Sequence, residues 1–256
     1  MGGMSCLSLR VNTLAQWCVH VLRTGAEHGR ALACPPVKRY DGNIERDLLV
    51  VARDRLAERI TGGLSNPSKM PELAWGLPAI RCKLGGVLVD VEGSVCSTCY
   101  ARKGRYRLTH VRNKLEERYR GLQHSLWVPP MVLLIRWHIG RYFRWFDSGD
   151  LQSPSHLQAI CDVARHTSEV LHWLPTQEHD LVRNFDGGIP GNLTIRLSGQ
   201  MLDEPAPTWW PHTSTVHAQR PPLGAHACPA LEQGNFCGAC RVCWDGNVKT
   251  VSYRLH

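Results

Sequence analysis

The sequence lacks the signals that would carry a chain into or across a membrane. Its most apolar run, "WVPPMVLLIRWHIG", is shorter than a bilayer span and contains Arg136 and His138. Its first residues, "MGGMSCLSLRVNTLAQW", show neither the long apolar core nor the small-residue cleavage site of a secretory signal. We therefore expect a soluble, cytoplasmic protein with no membrane partner.

Several familiar catalytic motifs are also missing. The thirteen histidines form no HExxH pair, and neither a P-loop nor a GxGxxG motif occurs. The sequence shows no internal repeat and no low-complexity segment. These absences leave the cysteines and the basic residues as the sources of chemistry.

Positive charge exceeds negative charge in this chain. Thirty Lys and Arg stand against 22 Asp and Glu, which gives a net charge of +8. A surplus of this kind favours an anionic partner, such as a nucleic acid or a nucleotide. The densest basic run follows a cysteine pair in "CSTCYARKGRYR", and it makes Arg102, Lys103, Arg105 and Arg107 candidate phosphate contacts. The alternative is a solvated surface.

The middle third alternates between strand and helix patterns. "RYFRWF", "VLHWL" and "NLTIRL" predict strands, whereas "SPSHLQAICDVARHTS" and "EHDLVRNF" predict the helices between them. Strands joined in this way pair in parallel through right-handed crossovers. Each predicted strand is followed by small polar residues, within 147–150, 176–177 and 198–200. Ligands bind at the carboxyl ends of parallel strands, so these residues mark a candidate site.

Composition divides the chain into three parts. Residues 1–62 predict a helical extension, 63–205 an α/β domain with a central cysteine cluster, and 206–256 a loop-rich metal-binding segment. A short strand, "VKTVSYRL", is expected close to the last residue.

The last segment contains a complete set of four cysteines. "CPALEQGNFCGACRVCW" places them at Cys228, Cys237, Cys240 and Cys243, with two-residue gaps between the last three. Four thiolates complete the coordination shell of a tetrahedral zinc or of an iron–sulfur cluster. The spacing leaves both metals open, and with every position filled the site would be structural or electron-carrying.

A second set of cysteines is incomplete. Cys82 is followed after thirteen residues by Cys96 and then by Cys99. Three ligands leave one coordination position of a zinc ion or of a [4Fe–4S] cluster open, and a catalytic site requires such an open position. A fourth ligand, such as Cys34, Cys161 or a histidine, would instead close the site.

Four ordered motifs resemble one known family. "NPSKMPELAWGLPAIRC…CSTCYARKGRYR", "RYFRWFDSGDLQS", "NLTIRLSGQMLD" and "CPALEQGNFCGACRVCW" look like the bacteriophage gene product 88 family, over residues 64–246. That family has features similar to radical S-adenosylmethionine (SAM) proteins. The resemblance implies a partial (β/α) barrel, one or two [4Fe–4S] clusters, SAM, an electron donor and a location in the host cytoplasm.

The resemblance also implies roles for individual residues. Cys82, Cys96 and Cys99 would ligate the reactive cluster, and the remaining cofactor contacts would come from Ser148, Gly149, Asp150, Ser198 and Gln200. The thirteen-residue spacer is longer than the usual radical SAM spacing of three residues. The expected function is a radical modification of a nucleic acid or nucleotide. The alternatives are a zinc- or iron–sulfur-stabilised nucleic-acid-binding protein without catalysis and a phage accessory protein that binds a host macromolecule.

Overall fold

A parallel β-sheet of seven strands organises the computed structural model, which describes residues 54–255. The strands lie in the order β1-β2-β3-β4-β5-β7-β6, and every neighbouring pair is parallel. Their bounds are β1 Ala74–Trp75, β2 Tyr142–Trp145, β3 Leu171–Thr176, β4 Leu193–Ser198, β5 Thr213–His217, β6 His226–Ala227 and β7 Thr250–Arg254.

Five helices lie between the strands. They are α1 Leu84–Leu88, α2 Thr109–Gly121, α3 Val128–His138, α4 Pro154–His166 and α5 His179–Arg183, and residues 54–61 are also helical. The helix α4 begins where the sequence predicts, because the hydroxyl of Ser153 accepts a hydrogen bond from the backbone N–H of His156. None of the helices described is long and apolar enough to span a bilayer.

The predicted α/β class, with parallel strands and connecting helices, is confirmed. The three strands predicted in the middle third are β2, β3 and β4, and they are neighbours in the sheet. The sheet is open between β1 and β6, and the radical-SAM type of the expected partial barrel stays a prediction. The predicted extension over residues 1–62 lies mostly outside the described residues.

The core packs helices against one face of the sheet. Phe143 and Trp145 of β2, Leu174 of β3 and Ile195 of β4 are buried against α3 and α4. Because side chains alternate along a strand, the residues between them point to the opposite face. We call this the second face, and it carries Arg144, Trp173 and Arg196.

The segment after residue 205 belongs to the same sheet. β5 pairs with β4, and β7 lies between β5 and β6. Residues 54–255 belong to one compact unit. The predicted limit between 205 and 206 therefore falls inside a continuous sheet, and the four-cysteine segment is the connection between the parallel strands β6 and β7.

Two buried histidines predict an acid-sensitive fold. Burial lowers the pKa of His156 and of His172 to about 3, against about 6.5 in an unfolded chain. Below pH about 6.5 the unfolded state therefore binds protons that the folded state excludes, so stability falls as the pH falls. Each histidine contributes up to about 1.4 kcal/mol per pH unit to the slope of the free energy of unfolding against pH.

The substitution His172→Gln is expected to remove one of these two slopes. Glutamine is neutral at all pH values concerned and can still bond to the Thr167 hydroxyl, which lies 2.8 Å from His172 Nε2. Urea denaturation at several pH values between 4 and 7 measures the change, with the exposed His166→Gln as control. An unchanged slope in His172→Gln would mean that the buried ring takes up a proton in the folded protein.

Candidate cysteine site at the strand ends

The carboxyl end of β2 is joined to the chain that leads to Cys82. The hydroxyl of Ser148 donates to the carbonyl of Leu77 over 2.7 Å, and the N–H of Leu77 donates to the carbonyl of Ser148 over 2.8 Å. Gly149 has a φ of +76°, and a Cβ there would lie 2.6 Å from Leu77. The glycine allows this close contact, which fixes the distance between "DSGD" and the first cysteine.

Asp150 ties β2 to β3. One carboxylate oxygen accepts from the Thr176 hydroxyl over 2.6 Å and from the Leu151 N–H, and the other accepts from the Gln177 N–H over 2.8 Å. Burial raises the pKa of Asp150 to about 7, although these bonds favour the charged form. The protein itself therefore uses both carboxylate oxygens, and Asp150 acts by positioning its neighbours.

Glu178 is a site residue that the sequence analysis missed. It is buried, and its Oε1 accepts from the N–H of Leu84 over 2.9 Å, two residues after Cys82. It directly follows the polar pair Thr176-Gln177, so the strand-end pattern could have included it. Glu178 fixes the Cys82 loop to the carboxyl end of β3.

The Cys96 loop is held at the end of β4. The N–H of Val95 donates to the carbonyl of Gln200 over 2.8 Å, and Ser94 forms an isolated bridge with Met201. The predicted residue Gln200 thus reaches the cysteine loop through its backbone. Ser198 lies nearby, and its hydroxyl is 3.1 Å from that of Ser214 on β5.

Cys82, Cys96 and Cys99 form the central set, and all three are unpaired and partly buried. A Cβ on Gly85 would lie 3.1 Å from Cys82 Cβ and 3.3 Å from Cys96 Sγ, so two of the cysteines converge on this glycine. Burial, together with the neighbouring Cys99, raises the pKa of Cys96 to about 11. Burial and the carboxylate of Asp150 also raise the pKa of Cys82.

The second face of the sheet holds the four-cysteine segment. Arg196 donates to the carbonyls of Val242, Cys243, Asp245 and Val248 over 2.8–3.0 Å. The Thr194 hydroxyl donates to the carbonyl of Trp244. Two side chains of β4 on the second face therefore attach this segment to the sheet.

Cations surround the C-terminal set, which consists of Cys228, Cys237, Cys240 and Cys243. Burial raises the pKa of Cys243 to about 12, while Arg196 and Arg144 act against that rise. Burial also raises the pKa of Cys237 and that of Cys228; Arg144 and Arg241 oppose the rise at Cys237, and Lys69 opposes it at Cys228. Positive neighbours stabilise thiolates, which is the form that binds metal.

Arg144 lies between the two sets. Its guanidinium carbon is 4.5 Å from the centre of the Trp173 ring, and one nitrogen donates to the Tyr100 hydroxyl over 3.3 Å. Tyr100 follows Cys99, and Arg144 also faces Cys237 and Cys243 electrostatically. Arg144 thus contacts the residue after Cys99 and acts electrostatically on two cysteines of the C-terminal set.

No single-ion site is assembled in the part of the chain that the structure describes. Within residues 54–255, no three His, Cys, Asp or Glu side chains are placed to hold one metal ion. The thiolates of a [4Fe–4S] cluster bind separate irons and stand farther apart than the ligands of one ion.

The basic run lies on the surface beside the central set. Arg102, Lys103, Arg105 and Arg107 are all exposed, in short 3₁₀ turns before α2. Within the described chain, none of the four forms an ion pair with a carboxylate. Arg102 acts electrostatically on Cys96, so the run begins at the site itself.

Removing the Glu178 anchor is expected to loosen the Cys82 loop. Glu178→Ala deletes the acceptor for the Leu84 N–H, whereas Glu178→Gln retains an oxygen at that place. In metal-free protein we expect iodoacetamide to alkylate Cys82 about tenfold faster in the alanine variant, because about 1.4 kcal/mol of loop closure is lost. Peptide mass spectrometry measures the rate, and equal rates in both variants would contradict the anchoring role.

Comparison with known proteins identifies a family. Neither the curated proteins nor the solved structures contain a match to the chain. A family model described as Gene product 88 matches residues 48–246, which include both cysteine sets and six of the seven strands. The chain therefore belongs to the bacteriophage gene product 88 family.

Proposed function

We propose that this protein is an iron–sulfur enzyme of radical SAM type, with its reactive cluster on Cys82, Cys96 and Cys99. One observation carries the proposal. Three free cysteines, held by Ser148, Glu178 and Gln200, lie beside the carboxyl ends of consecutive parallel strands. Substrates of parallel α/β proteins bind at this edge of the sheet.

The residues present fit an iron–sulfur cluster with one open position. The central set offers three thiols and no imidazole ligand, and Gly85 keeps the space between Cys82 and Cys96 free of a side chain. Thiolate ligands select iron–sulfur clusters, zinc or copper(I).

The rest of the chain positions this set. Ser148 and Gly149 fix the approach to Cys82, Glu178 fixes the exit from it, and Gln200 fixes the approach to Cys96. Asp150 joins the ends of β2 and β3 beneath the loop. Preorganised ligands reduce the rearrangement that binding would otherwise require.

A bound [4Fe–4S] cluster with SAM would supply one-electron cleavage of a carbon–sulfur bond, and so a radical that acts on the substrate. The partly buried loop limits access of water to the cysteines. The electron has to come from an external one-electron donor. The C-terminal set, which has four cysteines and positively charged neighbours, suits a second [4Fe–4S] cluster or a structural zinc.

Anaerobic purification tests the proposal. We expect brown protein that absorbs near about 400 nm, contains about four or about eight irons per chain and, after reduction, cleaves SAM. Colourless protein that contains stoichiometric zinc and does not cleave SAM would overturn the proposal that this protein is an enzyme. It would favour the second candidate, a metal-stabilised nucleic-acid-binding protein, for which the unpaired basic run provides the specific support.

The basic run predicts a nucleic acid or nucleotide as the substrate class. Phosphate contacts release counterions, so binding should weaken with salt in proportion to their number. The double substitution Arg105→Ala with Arg107→Ala is expected to reduce the magnitude of the log–log salt slope by about 1.4 on single-stranded DNA or RNA, which is about 0.7 for each lost phosphate contact.

Fluorescence anisotropy at several salt concentrations measures this slope. The matched control is Arg120→Ala with Arg254→Ala, because both of these arginines are exposed and lie outside the run. An unchanged slope in the Arg105 and Arg107 variant would show that the run is only a solvated surface.

A further inference from the structure

An exposed aromatic ring lies between the central set and the basic run. Tyr100 follows Cys99 directly and precedes Arg102 and Lys103. The residue is 52% exposed. Among the large aromatic residues that the described chain exposes, Tyr100 is the one that adjoins the central set. A ligand that reaches both the basic run and the cysteines therefore passes over this ring.

The hydroxyl of Tyr100 is held in place although the ring is exposed. The hydroxyl donates to the carbonyl of Asp147 over 2.6 Å and accepts from a guanidinium nitrogen of Arg144 over 3.3 Å. The hydroxyl of Tyr106 donates to the same carbonyl over 3.1 Å. Asp147 lies two residues after β2, so these bonds hold the ring at the carboxyl edge of the sheet. A ring that is already ordered loses little conformational entropy when a ligand binds.

The ring of Tyr100 keeps an accessible face. Its described ring contact is T-shaped, with Tyr106 at a centroid distance of 5.9 Å, and such a contact covers at most one of two faces. Within residues 54–255, no cation lies over this ring. The exposed ring of Trp209, by contrast, has the guanidinium carbon of Arg183 4.5 Å from its centre. An uncovered aromatic face can stack on any nucleic-acid base, because every base has a π-face.

The basic run supplies charges for the adjoining phosphates. Residues Tyr100–Arg102 form a short 3₁₀ turn, after which the N–H of Lys103 donates to the carbonyl of Tyr100 over 3.0 Å. Arg102 and Lys103 are exposed, and in the described chain neither forms an ion pair with a carboxylate. Proteins hold single strands in this way, with bases on aromatic rings and the backbone on cations. In an intact duplex the bases stack on one another, so a surface ring gains this contact only from a single strand.

We propose that the ring of Tyr100 stacks on a base of a single-stranded nucleic acid while the basic run binds the adjoining phosphates. This contact deepens the nucleic-acid class proposed above, on which it rests, by naming a single strand and the residue that holds its base. Because Tyr100 adjoins Cys99, the stacked nucleotide lies next to the central set.

Fluorescence anisotropy with a thymidine oligonucleotide tests this contact. An abasic oligomer of the same length is the control ligand, because it keeps the phosphates and lacks the bases. We expect Tyr100→Leu to weaken binding of the thymidine oligonucleotide about tenfold, which is in the range of one stacked base. Binding of the abasic oligomer, and of duplex DNA, should change less than about twofold, because the phosphate contacts remain. For the same reason the salt slope should stay that of the unsubstituted protein.

Two further variants separate the ring from its surroundings. Tyr100→Phe keeps the ring and loses the hydroxyl bonds, so it should bind the thymidine oligonucleotide more tightly than Tyr100→Leu. Trp137→Leu removes an aromatic residue of similar exposure, 49%, at the end of α3 before β2 begins, and should leave binding unchanged. Circular dichroism checks the fold of each variant. All are measured on anaerobically isolated protein without SAM or reductant, so radical chemistry does not enter the result.

Three results would overturn the proposal. Equal weakening of both oligomers by Tyr100→Leu would mean that the residue acts only through the phosphate contacts, and unchanged binding would mean that no base stacks on the ring. Absence of oligonucleotide binding by the unsubstituted protein would favour an acidic protein as the partner of the basic run. Protein that cleaves SAM but fails this test keeps the proposed enzyme and loses the contact. Protein that passes it without cleaving SAM keeps the contact and loses the enzyme.

Discussion

Replacing Cys96 by alanine is expected to remove the iron of the central set from the reconstituted protein and to abolish SAM cleavage. The central set has three cysteines, so losing one leaves two ligands where a [4Fe–4S] cluster needs at least three from the protein. The C-terminal set keeps its four cysteines in this variant. Iron should therefore fall from about eight to about four per chain if both sets hold clusters.

Two further variants show which set performs the chemistry. Cys161→Ala is the matched control, because Cys161 is fully buried in the helical core and belongs to neither set. It should keep its iron and its activity. Cys240→Ala should lose the C-terminal metal and keep the electronic absorption of the central cluster. Unimpaired SAM cleavage by Cys96→Ala would remove the central set from the mechanism.

Replacing Arg196 by methionine is expected to lower the free energy of unfolding by about 3 kcal/mol or more. The guanidinium is fully buried and donates to four carbonyls of the segment between β6 and β7. Methionine has a similar length and no donor, so these carbonyls would be left without a partner. Urea denaturation measures the loss.

The same substitution is expected to expose the four-cysteine segment to proteases. Limited trypsin digestion should cut at Arg241 in Arg196→Met while the unsubstituted protein resists. Arg196→Lys should recover only part of the stability, since an ammonium cannot reach four carbonyls that a planar guanidinium spans. Arg120→Met, on an exposed position of α2, is the control and should change stability by less than about 0.5 kcal/mol.

Periodicity found the elements that face the apolar core. The strands β2, β3 and β4 have regular apolar positions, because their buried side chains pack against α3 and α4. The helix α4 has regular apolar positions because its buried side chains belong to the same core. Pro154 and Ser153 marked the start of α4 correctly.

The sequence did not reveal β5, because its pairing does not rely on apolar side chains. "TSTVH" meets its neighbours through hydroxyls: Ser214 with Ser198, Thr213 with Thr250, and Thr215 with Ser252. Such a run has the composition of a loop. The two-residue strands β1 and β6 are too short to show any period.

The candidate site was predicted in part. Spacing alone brought Cys82, Cys96 and Cys99 together, and the strand-end pattern brought "DSGD" to them. The sequence could not show that the carboxylate of Asp150 accepts hydrogen bonds from the protein itself, nor that Glu178 anchors the Cys82 loop. Both facts depend on contacts between residues far apart in the chain, namely 26 and 94 positions.

The position of β7 sets the order in which the sheet can form during synthesis. β7 is the last of the seven described strands to be made, yet it lies between β5 and β6. β1 to β5 can pair as they leave the ribosome, while β6 has no neighbour until β7 is complete. Such non-local pairing is slow, so the four cysteines between these strands are open to metal or oxidant throughout that delay.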